Sequence, residues 1–216
     1  MSRKTLWIIG GSIAGLLLAA LAVYVVVFMP PDWRSGVDEA AKGTEDGLYP
    51  WIGARKPVLV IHEYLDFDCP FCSIGHKAIR SRIARHYDKV RLVRHDYARM
   101  PCAPNSAQKK YRTCELVRAA ICASAHMDYW AWNDAVIEAP RARQKGAADG
   151  YVPAMRDRMK LPAAQFDRCL YDDATIAKAQ KIYEETKKAG VRATPTYMVN
   201  GRKLRHHELV ELLNDL

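Results

Sequence analysis

The chain predicts an α/β domain behind one apolar N-terminal helix, and three observations predict it. First, Val58 to Leu65 is an apolar run that reads as a buried strand. Ile74, Ile79, Ile83 and Tyr87 then recur at helical spacing, and Val90 to Tyr97 sets Val90 and Leu92 against Arg91 and Arg94, as a second strand does. A strand, a helix and a strand of this size form a βαβ unit with parallel pairing. Second, Cys69-Pro70-Phe71-Cys72 stands at the joint between the first strand and the helix. Third, Leu6 to Phe28 is almost entirely apolar and uncharged, longer than the roughly 20 residues that a bilayer-spanning helix needs.

The N-terminal elements follow from composition. Arg3 and Lys4 precede the apolar run and predict a cytoplasmic tail at 1–5. Residues 6–28 form the expected transmembrane anchor. A cleaved signal peptide is the alternative reading. Ala20-Leu21-Ala22 has the shape of a cleavage site, but Val23 to Phe28 continues the apolar run past it. Residues 29–56, with Pro30-Pro31, Gly43, Gly47 and several charges, read as a tether with one short helix around Val37 to Lys42. Residues 57–216 form the folded domain.

Within that domain the first strand covers Pro57 to Leu65, and the helix after Cys69 ends near Asp88. Met100 to Ser106 is a loop broken by Pro101 and Pro104. Lys109 to Ile137 has helical spacing and carries Trp130 and Trp132. Ala139 to Gly150 reads as a connection. Pro153 to Lys160 and Pro162 to Tyr171 read as short helices. Asp172 or Asp173 caps the next helix, which runs to Lys188 with Gly190 at its end. Asn200-Gly201 between Thr196–Val199 and Arg202–Leu204 signals a hairpin. A helix over His206 to Leu213 closes the chain.

The chemistry concentrates in the two cysteines. A cysteine at a helix N-terminus faces unpaired N–H groups and the positive end of the dipole, which favour the reactive thiolate. Cys69 is therefore the expected nucleophile, and Pro70 fits the first helical position, where its missing N–H costs nothing. Half a zinc site is the competing reading, but Cys102, Cys114, Cys122 and Cys169 supply no second pair at ligand spacing. The even cysteine count suits an oxidising compartment, as does the anchor. The formal net charge is +9, and its basic residues crowd between His76 and Arg99. No nucleic-acid motif accompanies them, so they read as a solvated helix face. A second reading lets this charge help hold Cys69 ionised.

The segments Glu63-Tyr64-Leu65-Asp66-Phe67-Asp68-Cys69-Pro70-Phe71-Cys72 and Gly190-Val191-Arg192-Ala193-Thr194-Pro195-Thr196-Tyr197-Met198-Val199-Asn200-Gly201 together resemble the thioredoxin superfamily, and more closely the DsbA-like thiol-disulfide oxidoreductases. Phe166 to Leu170, with Cys169, and the Trp130 region resemble the helical insert of that group. The resemblance implies a thioredoxin-like fold with an inserted helical subdomain at about 105–172, preceded by the transmembrane helix. It implies that Cys69 forms the mixed disulfide, that Cys72 is the buried resolving thiol, and that Pro70 and Phe71 complete the active-site turn. A cis Pro195 would set the Thr194 backbone beside the cysteines to bind substrate. Glu63 matches an acidic position below the site. Strand alternation independently puts it on one face with Leu59, Ile61 and Leu65, so a raised pKa and proton exchange with Cys72 are expected. Asp66 and Asp68 flank the site and would oppose a Cys69 thiolate.

The resemblance also implies a Cys122–Cys169 staple between two helices of the insert, leaving Cys102–Cys114 as the second structural disulfide; an auxiliary redox role for Cys102 and Cys114 is the alternative. The implied function is a membrane-anchored protein disulfide oxidoreductase. It would introduce disulfides into exported proteins through Cys69–Cys72, on the periplasmic or extracellular side of the inner membrane. Its partners would be unfolded or reduced exported proteins and a membrane redox partner such as a quinone-linked thiol oxidase. No metal, organic cofactor or nucleic acid is implied. Phe71 departs from the Cys-Pro-His-Cys of the DsbA enzymes proper and brings no charge or hydrogen bond to the thiolate. Lowering a thiol pKa from about 8.5 to about 4 favours the thiolate by roughly 6 kcal/mol, about 130 mV for a two-electron couple. Loss of one such contact therefore leaves a reductase or isomerase as the alternative enzyme. A tethered thioredoxin-like binding module is the alternative outside the enzymes.

Overall fold

A computed structural model describes residues 15–21, 24, 31–102, 113–139 and 150–216. The chain divides into two units, Met1–Asp32 and Trp33–Leu216. In the first unit residues 15–21 and Tyr24 are helical. The tail at 1–5 and most of the expected anchor at 6–28 lie outside the described residues. Among the described residues no helix is long and apolar enough to cross a membrane.

The second unit is built on a six-stranded sheet of order β1-β2-β4-β3-β5-β6. Its strands are β1 (Lys42–Glu45), β2 (Tyr49–Gly53), β3 (Leu59–Leu65), β4 (Val90–Asp96), β5 (Thr196–Val199) and β6 (Arg202–Leu204). β3 and β4 pair in parallel from Leu59↔Val90 to Leu65↔Asp96, with helix α1 (Pro70–Ile83) as the crossover. α1 is shorter than expected. After Ile83 a series of tight turns, including His86 N–H to Ile83 O and Val90 N–H to His86 O, brings the chain back to start β4. β5 pairs antiparallel with β3 on its other side and with β6 at the edge. The β5–β6 turn puts Asn200 and Gly201 at φ of 51° and 74°, the two positive values that a type I′ turn requires.

The second half of the expected tether is a correction. Residues 42–53 form a hairpin whose second strand pairs with β4. Its turn repeats the same device, with Asp46 and Gly47 at φ of 51° and 67° and Leu48 N–H donating to Glu45 O at 3.0 Å. The short helix expected around Val37 reduces to hydrogen-bonded turns such as Ala40 N–H to Gly36 O.

The helical stretch expected over 109–137 is also corrected. Residues 103–112 lie outside the described residues, and the rest is two helices, α2 (Thr113–Ser124) and α3 (Tyr129–Glu138). Asp128 starts α3 by accepting from Trp130 N–H, a cap that supplies one of the helix's orphan donors with a partner. α4 (Tyr151–Arg158) and α5 (Ala163–Leu170) follow. Then come α6 (Asp173–Lys188), capped by Asp172 through Ala174 N–H, and α7 (His206–Asn214). Residues 140–149 lie outside the described residues.

Each sheet face has its own core. Leu59, Ile61 and Leu65 of β3 pack in a cluster with Ile79 and Ile83 of α1, Leu209 and Leu213 of α7, and Trp130, Trp132 and Phe166 of the insert. On the other face Tyr49 and Val93 cluster with Ala179 and Ile182 of α6. Two disulfides tie the insert, Cys102–Cys114 and Cys122–Cys169, at separations of 12 and 47 residues. The second joins α2 to α5. By chain entropy a loop of that length contributes about 4 kcal/mol.

Candidate active site

The dithiol sits where β3 hands over to α1. Cys69 is the N-cap of α1, with extended backbone, and Pro70 occupies the first turn. Asp66 O accepts from Cys69 N–H at 3.0 Å, and Cys69 O accepts from Cys72 N–H at 3.1 Å. Both cysteines are free thiols. Cys69 keeps 7% of its surface and Cys72 none, so Cys69 is the more accessible of the two. Burial pushes the Cys72 thiol up to about 12, and the neighbouring Cys69 adds to the rise. Phe71 and Ile74 project outward at 72% and 65% exposure. The sequence puts Ile74 on the buried stripe of the helix; it instead faces solvent.

The loop before β5 closes the site. The Thr194–Pro195 peptide is cis, and Thr194 O lies 3.7 Å from Cys69 Sγ, within reach of its S–H. Gly75 on α1 allows the approach. A side-chain carbon there would stand 3.4 Å from Pro195 Cγ and 2.7 Å from the Tyr197 hydroxyl. Pro195 and Tyr197 therefore pack on a helix surface stripped to its backbone.

Beneath the cysteines lies a buried polar cluster. Glu63 is fully buried, as strand alternation predicted. Its Oε2 accepts from His76 Nδ1 at 2.6 Å and from Arg94 Nη1 at 3.4 Å, while Oε1 has no hydrogen-bond partner. The expected rise of its pKa is a correction. Burial pushes the carboxyl up, but the His76 contact outweighs it together with Arg94 and Arg80, and the pKa falls below the ordinary carboxylate value. Burial lowers His76 by more than Glu63 raises it. The pair is thus a carboxylate accepting from a neutral imidazole. Arg94 continues the cluster through Nε to Asp96 at 3.1 Å, where the Tyr129 hydroxyl also donates at 2.7 Å. Its guanidinium covers the Phe67 ring at 4.9 Å.

The charges above the cluster are also paired. Asp66 is buried, accepts from Asp68 N–H and is held by Arg99 Nε at 2.6 Å. Burial raises its pKa, against the pull of those two bonds. Its charge therefore faces Arg99 as well as Cys69.

The structure thus brings Cys69, Cys72, Pro70, Thr194, Pro195 and, below them, Glu63 into one region. Cys122–Cys169 and Cys102–Cys114 pair separately. His76, Arg80 and Arg94 were read as part of a solvated basic face, yet all three are fully buried. A signal for two of them was present. Cys72, His76 and Arg80 are spaced i, i+4, i+8, which stacks them on one face of a helix.

A strand-to-helix dithiol facing a cis-proline loop defines a redox-type site on a thioredoxin-like fold. A family model described as thioredoxin matches residues 45–215. The chain belongs to the thioredoxin family. Two solved structures show the likeness. A thioredoxin-like oxidoreductase from Silicibacter pomeroyi is 18% identical with a TM-score of 0.61, over 79% of this chain and 92% of that one. MdbA, a thiol-disulfide oxidoreductase from Corynebacterium diphtheriae, is 14% identical with a TM-score of 0.61, over 80% and 92%. Among curated sequences, the Na(+)/H(+) antiporter NhaA of Herminiimonas arsenicoxydans is 26% identical over 153 residues, 71% of this chain but 22% of the antiporter. The chain therefore spans about a fifth of the length of the curated relatives it matches.

Proposed function

We propose that the protein is a membrane-anchored, extracytoplasmic thiol-disulfide oxidoreductase that introduces disulfides into exported proteins. One observation carries the reading. The sulfur of Cys69, the more accessible of the two cysteines, lies 3.7 Å from the carbonyl of Thr194 on the cis-proline loop, so an extended substrate can pair with that loop while its sulfur meets Cys69. A substrate thiolate attacks Cys69 Sγ of the Cys69–Cys72 disulfide. The Cys69–Cys72 bond breaks, a bond from substrate to Cys69 forms, and Cys72 leaves with the electron pair. With its pKa pushed up by burial, Cys72 takes up a proton, the one the substrate thiol gave to solvent, and Glu63, a buried carboxylate, is the base that accepts it when the dithiol is oxidised again. A second substrate thiolate then attacks the substrate sulfur of the mixed disulfide and expels the Cys69 thiolate. Two electrons pass from the substrate dithiol to the enzyme. A membrane-bound thiol oxidase of the quinone-linked class then takes these two electrons from the Cys69–Cys72 dithiol and restores its disulfide. The export-side location rests on the apolar run at 6–28 and on two disulfides outside the dithiol, which persist in oxidising compartments.

The reduction potential of Cys69–Cys72 against glutathione tests the direction. A value well above about −200 mV, toward the −120 mV of a strong oxidant, is expected. A value near about −270 mV reverses the assignment to a reductase. Phe71, apolar and exposed, supplies the thiolate no hydrogen bond and is the feature that favours that second reading. Cys72→Ser is expected to accumulate the mixed disulfide at Cys69. Failure of any substrate or glutathione adduct to form there leaves only a tethered binding module.

A further inference from the structure

The buried polar cluster does not end at Glu63. It runs through His76 into the helical insert, and its hydrogen-bond directions are fixed at the far end. Asn133 on α3 is fully buried. Its Nδ2 stands 2.8 Å from Asp134 Oδ1 and 3.2 Å from His76 Nε2. A carboxylate accepts only, so the amide must turn its nitrogen toward Asp134. The second N–H of that nitrogen then points at His76 Nε2, which has to be the acceptor. The imidazole proton is left on Nδ1, 2.6 Å from Glu63 Oε2. Arg80 closes the row at Asp134, 3.5 Å away.

We propose that Asn133 and His76 are positioning residues for the dithiol. Asn133 locks His76 as the Nδ1–H tautomer, and that fixed donor keeps Glu63 ionised with Oε1 open to the Cys72 proton. The proposal rests on Glu63 being the proton partner of Cys72. It explains two otherwise costly features, a buried carboxylate oxygen without a partner and a buried histidine that belongs neither to a metal group among the described residues nor to the dithiol turn. It also gives the insert a chemical role, since residue 133 lies outside the sheet and α1. When Cys72 attacks a mixed disulfide at Cys69, a Cys72–Cys69 bond forms and the bond from Cys69 to the outgoing thiolate breaks. The Cys72 proton passes to Glu63 Oε1. Among the described residues, the charged and titratable groups that act on Glu63 and His76, or are acted on by them, come from several elements: Arg80 on α1, Arg94 and Asp96 on β4, Tyr129 on α3, Tyr197 on β5 and His206 on α7. The arginines are permanent cations, so removing the His76 donor weakens the hold on Glu63 without abolishing it.

Two measurements on the full chain test this. Nitrogen-15 spectra of the imidazoles should show His76 as the Nδ1–H tautomer at neutral pH, and Asn133→Leu should lose that single form. An Nε2–H tautomer in the wild type overturns the proposal. The second measurement mixes reduced protein with oxidised glutathione and follows glutathione release against pH. The acid limb of that rate should rise by about one pH unit in His76→Phe, where burial acts on Glu63 without the donor. It should return in His76→Gln, whose amide can donate to the same oxygen. An unmoved limb in a folded His76→Phe overturns the proposal. If that variant does not fold, the tautomer of the wild type and of Asn133→Leu decides alone. Glu63→Gln separates the two claims. A limb unchanged by that variant removes Glu63 as the proton partner, whatever the His76 tautomer.

Discussion

β3 turns adjacent residues, His62 and Glu63, to opposite faces of the sheet, and each meets a buried histidine. Below the dithiol, Glu63 accepts from His76 at 2.6 Å, with Arg94 and Asp96 completing a row of alternating charge. On the far face His62 shares one hydrogen bond with His95 at 3.0 Å. The His95 ring lies between Tyr49 and Tyr64, at 4.1 and 4.3 Å between centroids. No carboxylate touches either far-face imidazole among the described residues. Burial, with His62 and Arg94 nearby, therefore pushes His95 down to about 3. One strand thus builds a face where charge is retained and a face where it is expelled. The first can hold and release a proton beside the cysteines; the second is a stack of neutral rings.

The largest test of that contrast is Arg94→Met. It leaves Glu63 and Asp96 buried without their shared cation. Breaking a buried pair from one side costs about 3–5 kcal/mol. Urea unfolding at neutral pH should show a loss of that size. A loss under about 1 kcal/mol would mean that the two carboxyls are neutral and the near face is not a charged row.

Acid titration gives the next effect, and it belongs to the far face. His95 has a folded pKa of about 3 against an ordinary 6.5. Between those values the unfolded chain binds a proton that the native chain refuses, so stability falls as pH falls from 6.5 toward 3. At pH 4.5 the loss from this one group is about 2–3 kcal/mol. His95→Phe keeps the aromatic stack and removes the titrating group. Its stability curve should be flatter over that window, with about 1 kcal/mol lost at neutral pH for the bond to His62. A curve as steep as that of the parent would place the acid sensitivity elsewhere.

The two faces were unequally legible in the sequence. The dithiol turn, the βαβ unit and the Asn200-Gly201 hairpin rest on local signals, namely apolar alternation, a turn that needs two positive φ values, and a proline that fits a helix start. The Asp46-Gly47 turn carried the same signal as Asn200-Gly201. It was masked because Gly43 in the edge strand β1 and Pro50 near the start of β2 depress strand character. The break between α2 and α3 lies in Ala125-His126-Met127, residues with no aversion to helix, and only Asp128 as a cap marks it. The near-face cluster was hidden for a different reason. Arginine and histidine belong on surfaces unless they are paired. Asp96 stands two residues from Arg94 on the same strand, but Tyr129, Asn133 and Asp134 lie far away along the chain. Only the i, i+4, i+8 series from Cys72 pointed inward, and its meaning depends on which helix face the sheet covers. Buried charge is set by tertiary pairing, which local patterning does not encode.

The smallest effect separates structure from chemistry on the far face. The Tyr49 hydroxyl donates to Glu185 Oε2 on α6, and burial, followed by that same carboxylate, raises its pKa. Tyr49→Phe deletes the hydroxyl and keeps the ring against His95. Glu185 retains solvent and Lys181 at 3.6 Å, so no charge is stranded. The cost should be that of one hydrogen bond, about 1 kcal/mol, read as a drop in unfolding free energy. The Cys69–Cys72 reduction potential and the pH profile of glutathione release should match those of the parent, because Tyr49 lies across the sheet from Glu63 and His76. A shift in that potential would show that the two faces communicate through β3, and the separation drawn between a proton-handling face and a neutral one would fail.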